Sequence, residues 1–586
     1  MHSIRPSLPT LSVLAGTLTW LVHVSWQRWG HPGMDCGGSV DLVARVAAGE
    51  VLYRDVLSIY GPLPTYAVAL LMRLFGIHLS VVYAVGLALL AAGSVLWWSV
   101  VRRFCSELET ASGLIGFWAL LALQPGLFNW VLPNTFANSF GIVFTLAVIA
   151  LLASDLPRPR DAKVVWASVL AAAAGLSKIE CGAAAAGTLL CWTLLAPAPQ
   201  RGRLRGLLLA LLPGAVITGV VVGLVLLTVS WRSFVFDNLY RVRSLAGTLD
   251  VYRTLALGHA MRPGVAAVGV TLAVVSAQVV MVAAGLKLGM RSWGGWLAGL
   301  ALATVAVGLP WLETTALGAL PAIDWRVVGD ELWWTGAAWV VVALAVLVGF
   351  TRGPREAGGL RHPARGAFVL AALASVLLTL RWHLQPLWPS YSAPFSPALI
   401  IVLVRSAARL ARLPAADTAA AVVFLGLVTL NGYRPVVLAY GRATQVVEAP
   451  RGRLQARPRA VRGMAQVIAY VRTHTAPSDF VAVMPEERFI NFFSERRHPT
   501  RDPGVGPHWL ATPQDEARFV AEIVDRDTAL LVVSRRRYPE FRAGQFKGYG
   551  RRVMQALERD YEFVQEMDTY EIFRRRRTTS APQDPR

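Results

Sequence analysis

The 586 residues are 55% hydrophobic and 16% charged, with a mean hydropathy of +0.48. So little charge, with apolar runs near bilayer length, excludes a soluble enzyme and points to an α-helical polytopic membrane protein. The net charge of +21 does not signal nucleic acid: up to residue 439 there are 31 Lys+Arg against 17 Asp+Glu, and many of the basic residues cluster between apolar runs, as in cytoplasmic loops.

In chain order, the first apolar run, Leu8 to Trp26, lacks a small-residue cleavage site and reads as a retained transmembrane helix. The stretch Met34 to Tyr66 follows, with Asp35, Asp41, Glu50 and Asp55 in a chain whose other long segments are mostly apolar. Acidic side chains beside a bilayer are costly, and a cluster of them marks a substrate site. The alternative is a solvated amphipathic helix. Leu42, Val43, Val46 and Ala47 recur at helical spacing, so a short surface helix is expected after Asp35. Gly61-Pro62-Leu63-Pro64 then breaks the chain before Tyr66 to Phe75, an apolar stretch too short to span alone.

Further along, about thirteen spans are expected, near 8–26, 79–101, 111–124, 134–152, 164–176, 182–196, 206–230, 263–286, 295–317, 332–350, 366–380, 391–412 and 416–439. Placing Arg102 and Arg103, Arg158 to Lys163, Arg201 to Arg205, Arg352 to Arg365 and Arg405 to Arg412 inside puts the first loop (27–78) and everything beyond residue 439 outside the cytoplasm. Residues 1–439 then form the membrane domain. Three more outer segments follow: Pro125 to Pro133, Ser177 to Cys181, and Arg381 to Ser390. From 440 to 586 helical patterns alternate with strand-like runs (Phe480 to Met484, Ala529 to Ser534, Tyr561 to Phe573), which predicts a small extracytoplasmic α/β domain. Arg451 to Arg462 reads as a linker or membrane-surface strip. Cys36, Cys105, Cys181 and Cys191 have neither metal spacing nor a disulfide framework. Cys36 and Cys181 both fall outside, where two free thiols are expected and a bridge is the alternative.

The first loop resembles that of the glycosyltransferase-C superfamily, membrane enzymes that take sugars from polyprenyl-phosphate carriers and include protein mannosyltransferases and aminoarabinose transferases. The residues carrying the likeness are Asp35, Gly49-Glu50, Tyr53-Arg54-Asp55, Gly61-Pro62-Leu63 and Tyr66. Cys36 stands where an acidic residue often follows the Asp, and Tyr60-Gly61 where a Lys often precedes Pro-Pro-Leu in those two families. The resemblance implies a bacterial inner-membrane enzyme with an outward site and a polyprenyl-phosphate-linked sugar as donor. The acceptor is an unspecified glycan, lipid or protein.

The residues themselves supply the chemistry. An acceptor hydroxyl attacking an anomeric carbon needs its proton removed, and Asp35 is the candidate base. One carboxylate suffices when the leaving group is a phosphate, unlike the paired carboxyls of glycoside hydrolysis. The leaving phosphate needs cations: Lys178, beside Glu180, and Arg381, in Arg381-Trp382-His383, are the candidates. Lys178 pairing with Glu180, and Arg381 reaching for lipid headgroups, are the competing readings. Tyr60, Glu50, Asp55, Glu180, His383 and Asn134 complete the candidate substrate contacts; for Asn129 and Asn134 a cap on the next helix is the favoured reading over a contact to sugar hydroxyls. No metal or cofactor is expected. The rival class is a lipid or sugar transporter, but no internal repeat is present and the charges gather at one membrane face rather than at the midplane.

Overall fold

The computed structural model describes residues 5–33, 35–125, 129–154, 159–195, 200–240, 363–384, 394–410, 415–428, 434–502, 504–506, 509–510, 512–537 and 544–576. The expected spans 263–286, 295–317 and 332–350 lie outside the described residues. Four described helices have segments long and apolar enough to cross a membrane: α1 (Leu8–Ser25), α4 (Leu79–Val101), α6 (Phe136–Ala153) and, over Leu204–Leu226, α9 (Gln200–Leu226). Between them lie α2 (Asp35–Ala47), α3 (Pro62–Phe75), α5 (Glu107–Gly116), α7 (Arg160–Ser177) and α8 (Ile179–Leu195). A π-helical turn, Phe117–Ala122, continues α5, so the expected span 111–124 is a short helix with an irregular end. The expected span 416–439 is two helices, Ala416–Val428 and Arg434–Gly441.

Helix α6 is central. It packs on α4, α7, α8 and the helix Pro363–Leu384, and its span is 67% buried, against 17% for those of α1 and α9. Those two therefore present apolar side chains such as Val13, Val216 and Leu224 outward, where only lipid tails suit them.

Charge separates to the two ends of these helices. At one end, Arg405 of the helix Ser396–Leu410 donates to Glu109 at 2.8 Å and to the Phe104 carbonyl at 3.1 Å. Ser7, capping α1, donates its backbone N–H to Glu107 at 2.6 Å, which brings the start of α1 to this same basic end. Lys163 donates to the Ser154 carbonyl at 2.6 Å, placing the end of α6 beside the start of α7. At the opposite end of α1 and α4 stand Trp26, Trp29 and Tyr83, with ring centroids 5.1–6.4 Å apart. The first loop, the start of α6 and the turn between α7 and α8 share that second end.

Beyond α9 and its neighbours the chain turns to mixed structure. A β-hairpin, β1 (Gln445–Ala449) and β2 (Gly452–Ala456), replaces the expected linker. It straps the ends of α1 and α4 that carry Trp26 and Tyr83: Gln455 donates to the Gln27 carbonyl at 2.6 Å, Leu79 to the Arg451 carbonyl at 2.7 Å, and Tyr83 to the Arg453 carbonyl at 3.2 Å. A four-stranded sheet follows in the order β3 (Val481–Met484), β4 (Leu530–Ser534), β6 (Tyr570–Arg575), β5 (Tyr561–Met567). Strands β3 and β4 are parallel and the other pairs antiparallel.

Alternation along these strands divides the apolar residues between two cores. Val481, Val483, Leu530, Val532 and Ile572 join the core that runs through the membrane helices. Ala482, Met484, Leu531, Val533 and Phe573 face a separate core beneath the helices Pro513–Asp525 and Arg551–Leu557. One face of the sheet is thus packed down onto the bundle.

Close backbone approach fixes how the first loop meets the bundle. Gly61 donates to the Ser177 carbonyl at 3.1 Å, and a Cβ there would lie 2.0 Å from the Leu176 oxygen. We expect Gly61→Ala to lower the thermal midpoint in detergent, an overpacking cost of about 1–3 kcal/mol. Gly16→Ala on α1, where nothing lies within 4 Å, is expected to leave it unchanged or raise it slightly.

Candidate functional site

Helix α2 begins at Asp35. Val40, Val43, Ala44, Val46 and Ala47 give it a buried stripe, and Gly49, at a φ of +109°, ends it in a conformation that suits glycine. Among the described residues, Asp35 has no hydrogen bond and no ion pair. Its side chain is exposed, yet protein crowds it closely enough that burial raises its pKa to about 6. Among the described residues no opposite charge is paired with it.

The neighbouring acidic residues are committed elsewhere. Glu50 pairs with Arg45 at 2.7 Å, and Arg45 also donates to the Thr500 and Asp55 carbonyls at 2.9 and 3.3 Å. Asp55 accepts from the Val51 N–H at 2.8 Å and pairs with Arg54, which holds its carboxyl below the usual range. Asp41 is buried, and loss of water pushes its pKa up to about 6 despite the nearby Arg45 and Arg488 charges. So Glu50 and Asp55, expected from the sequence as substrate contacts, are paired within the loop, while Asp35 is the exposed one of the four.

Lys178 ends α7 with its side chain only 5% exposed. Its ammonium lies 3.8 Å from Glu180 and 5.8 Å from the centre of the Tyr60 ring. Gly141, in the second turn of α6, makes room for it: a Cβ there would touch Cys181 at 2.8 Å and the Lys178 Cβ at 3.5 Å. Tyr60 reaches this position because Gly61 lets the loop touch the α7–α8 turn. The pairing of Lys178 with Glu180 is therefore present, with an aromatic face alongside. Cys36, beside Asp35, is tied to the loop before α6: its thiol accepts from His31 N at 3.3 Å and donates to the Leu132 carbonyl at 3.5 Å. Cys36 and Cys181 are both free thiols.

Asn129 is fully buried and shapes this loop, accepting from the Val131 and Leu132 amides at 3.0 and 2.7 Å. Neither it nor Asn134 caps α6. Thr135 does so, accepting from Ala137 N at 3.2 Å, which corrects the expected asparagine cap; Asn134 is half-buried beside it. Arg381 and His383 belong to the end of the helix Pro363–Leu384, but their side chains lie outside the described residues. Among the described residues no group of three or more His, Cys, Asp or Glu is arranged to hold a metal ion.

Sequence reasoning missed the clamp on the first loop. Arg501 donates to the Tyr53 carbonyl at 2.6 Å and to the buried Asp237 at 2.9 Å, while Tyr53 donates its hydroxyl to the Tyr60 carbonyl at 2.6 Å. An arginine more than 400 residues away leaves no local signal. The i,i+4 pair Asp41 and Arg45 was the visible hint that α2 carries buried charge.

No protein-family model and no curated protein matches this chain. Solved structures do. The chain is similar to ArnT from Cupriavidus metallidurans bound to undecaprenyl phosphate, at 15% identity and a TM-score of 0.48 over 98% of this chain and 100% of that one. It is also similar to the Archaeoglobus fulgidus oligosaccharyltransferase in complex with zinc and sulfate, at 13% identity and a TM-score of 0.49 over 95% of this chain and 72% of that one. A third is the oligosaccharyltransferase AglB of Archaeoglobus fulgidus with an inhibitory peptide and a dolichol-phosphate, at 13% identity and a TM-score of 0.47 over 98% and 75%.

The cap assignment is directly testable. Thr135→Ala is expected to cost about 0.5–2 kcal/mol of stability, and Asn134→Ala to cost a few tenths at most. Thermal unfolding of the two purified variants reads the difference.

Proposed function

We propose that this protein transfers a sugar from a polyprenyl-phosphate carrier to an envelope acceptor at the outer face of a bacterial inner membrane, with Asp35 as general base. The observation that carries the reading is the contrast within one loop. Asp41, Glu50 and Asp55 are buried or paired, while Asp35 is open, without partner among the described residues, and raised in pKa to about 6. A base is most useful with a pKa near working pH and no competing proton donor.

In the proposed step the acceptor hydroxyl gives its proton to Asp35 as its oxygen bonds the anomeric carbon. The bond from that carbon to the phosphate oxygen breaks, and polyprenyl phosphate departs with the electron pair. Attack opposite the leaving group inverts the anomeric centre. Phosphate is a good leaving group, so the step calls for no second carboxyl and no metal or cofactor. Lys178 takes the phosphate charge, held toward it by Glu180 and Tyr60; Arg381 and His383 complete the donor contacts, and Asn134 meets a sugar hydroxyl. The first-loop resemblance to the glycosyltransferase-C superfamily supports this reading. So does the meeting of Lys178 and Tyr60 at the helix end opposite the Arg405–Glu109 cluster, the end that also carries the first loop with Asp35, since basic residues mark the cytoplasmic side.

Asp35→Asn is expected to lower transfer by the purified enzyme about 10²–10⁴-fold while leaving its affinity for undecaprenyl phosphate intact. In the parent enzyme the rate should fall about tenfold per pH unit below about 6 and level off above it, because only the carboxylate form accepts a proton. Near-parent turnover by Asp35→Asn would remove Asp35 from the chemistry.

Lys178→Ala is expected to weaken undecaprenyl phosphate binding about tenfold or more, in line with the roughly 1.5–3 kcal/mol of a hydrogen bond to a charged group. A Lys178 that serves Glu180 alone predicts otherwise: unchanged affinity, lower stability, and recovery of stability in the double variant with Glu180→Ala. Binding and thermal-shift measurements on the same samples separate the two.

A further inference from the structure

Where the β1–β2 hairpin crosses the end of α1, an open cleft of about 620 Å³ remains, within the roughly 300–1,000 Å³ range of small-molecule sites. Thr19, Val22, His23 and Trp26 line it from α1 and its end, Arg28 from the segment that follows, and Gln455 from β2. The first four recur at i, i+3, i+4 and i+7, so they share one helix face about 10 Å long. That face is turned away from the bundle. Thr19, His23 and Trp26 are exposed, as are the apolar Leu11 and Val13 further along α1. The cleft thus lies where the apolar surface of α1 meets the ring cluster of Trp26, Trp29 and Tyr83, the level at which aromatic rings meet lipid headgroups.

Its polar groups are donors in want of acceptors. Arg28 donates from Nε to Gln455 Oε1 at 3.1 Å and from Nη1 to the Val24 carbonyl at 2.9 Å. Those two bonds fix the guanidinium plane and leave Nη2 uncommitted. Arg28 has no ion pair among the described residues, and no Asp or Glu lines the cleft. The side chains of Thr19, His23 and Trp26 make no hydrogen bond among the described residues either. The hairpin adds more positive charge. Arg453 shares a strand face with Gln455 by two-residue alternation, and Arg457 follows the strand. Both are exposed and without an ion pair among the described residues, although Glu448 stands opposite Arg453 in the hairpin.

We propose that this cleft binds an anionic glycerophospholipid of the surrounding leaflet. The fixed guanidinium of Arg28 takes the phosphodiester, whose oxygens suit its planar fork. Trp26 and His23 flank the glycerol and ester region, and the acyl chains run along α1 past Thr19. A soluble phosphate would use Arg28 and leave Val22 and the apolar face beyond it against water. A zwitterionic headgroup would bring its amine to a lining without a carboxylate, beside Arg453 and Arg457, whereas basic residues at a membrane surface favour anionic lipid. The site takes no part in the proposed sugar transfer, and its test does not depend on that reading.

The test is native mass spectrometry of the full chain in mild detergent, with dioleoyl phosphatidylglycerol, dioleoyl phosphatidylcholine or undecaprenyl phosphate added. The tightest-bound phosphatidylglycerol should exceed phosphatidylcholine in affinity by about tenfold. Arg28→Gln should weaken it by about fivefold or more. Arg28→Lys, which keeps the charge but not the bonding fork, should retain most of the affinity. Thr19→Phe, which fills the cleft beyond the headgroup, should weaken both phospholipids. Arg559→Gln, which removes the same charge from an exposed position in the C-terminal part, should change neither.

Equal phosphatidylglycerol affinity in the parent and Arg28→Gln overturns the proposal, as does unaltered binding in Thr19→Phe. An equal loss in Arg559→Gln overturns it by marking attraction to overall charge. An equal loss in Arg28→Lys does so by assigning Arg28 to the bond with Gln455 alone. Undecaprenyl phosphate that displaces phosphatidylglycerol and weakens equally with Arg28→Gln would assign the cleft to the carrier instead.

Discussion

The contact of Phe489 with Gly37 joins two parts of the chain that local sequence reading treats separately. Remove it and α2 loses one of the two surfaces that cover its buried face, the other being α3. The sheet behind Phe489 is committed to the same contact. Its Val481, Val483, Leu530 and Val532 face is continuous with the core of the membrane helices, so burying that face and seating α2 are one packing event. The β1–β2 strap across α1 and α4 and the Arg501 clamp on Tyr53 hold the same arrangement from its edges.

A second constraint comes from the bilayer. Charges are tolerated at helix ends and penalised between them, and the described ion pairs obey it. Arg405 with Glu109 and Arg205 with Asp161 lie at one end; Arg45 with Glu50 and Lys178 with Glu180 lie at the other. The second end differs in kind. There the loop amides, the α7–α8 turn and the start of α6 converge, and glycines at 61, 86 and 141 let backbones approach where a side chain would collide. A carboxylate left open in such a place stands out against neighbours that are satisfied.

Much of the helix pattern was legible because hydropathy and length are local. The sequence limits for α1 and α4 agree with the structure within a residue, and the short helix after Asp35 is present. The strand runs at Val481–Met484 and Leu530–Ser534 were visible as β-branched clusters, whereas Tyr561 to Phe573 hid a hairpin whose turn, at Asp568, has a positive φ. Arg451 to Arg462 looks like a linker or membrane-surface strip because its arginines mask β2, the second strand of a short hairpin. The prominence of Asp35 was visible from its setting, and the pairing of Glu50 and Asp55 was not, since their partners' placement depends on how the loop folds back. The role of Arg501 was invisible for a plainer reason: it acts on Tyr53 and Asp237, hundreds of positions away.

The measurement that bears most directly on the account is mass spectrometry of envelope glycans from cells with the parent protein, with Asp35→Asn, and with none. The account predicts one glycan modification present with the parent and absent from both of the others, with Asp35→Asn protein at parent levels in the membrane. The same modification at parent levels with Asp35→Asn, or no difference between cells with and without the protein, would contradict it.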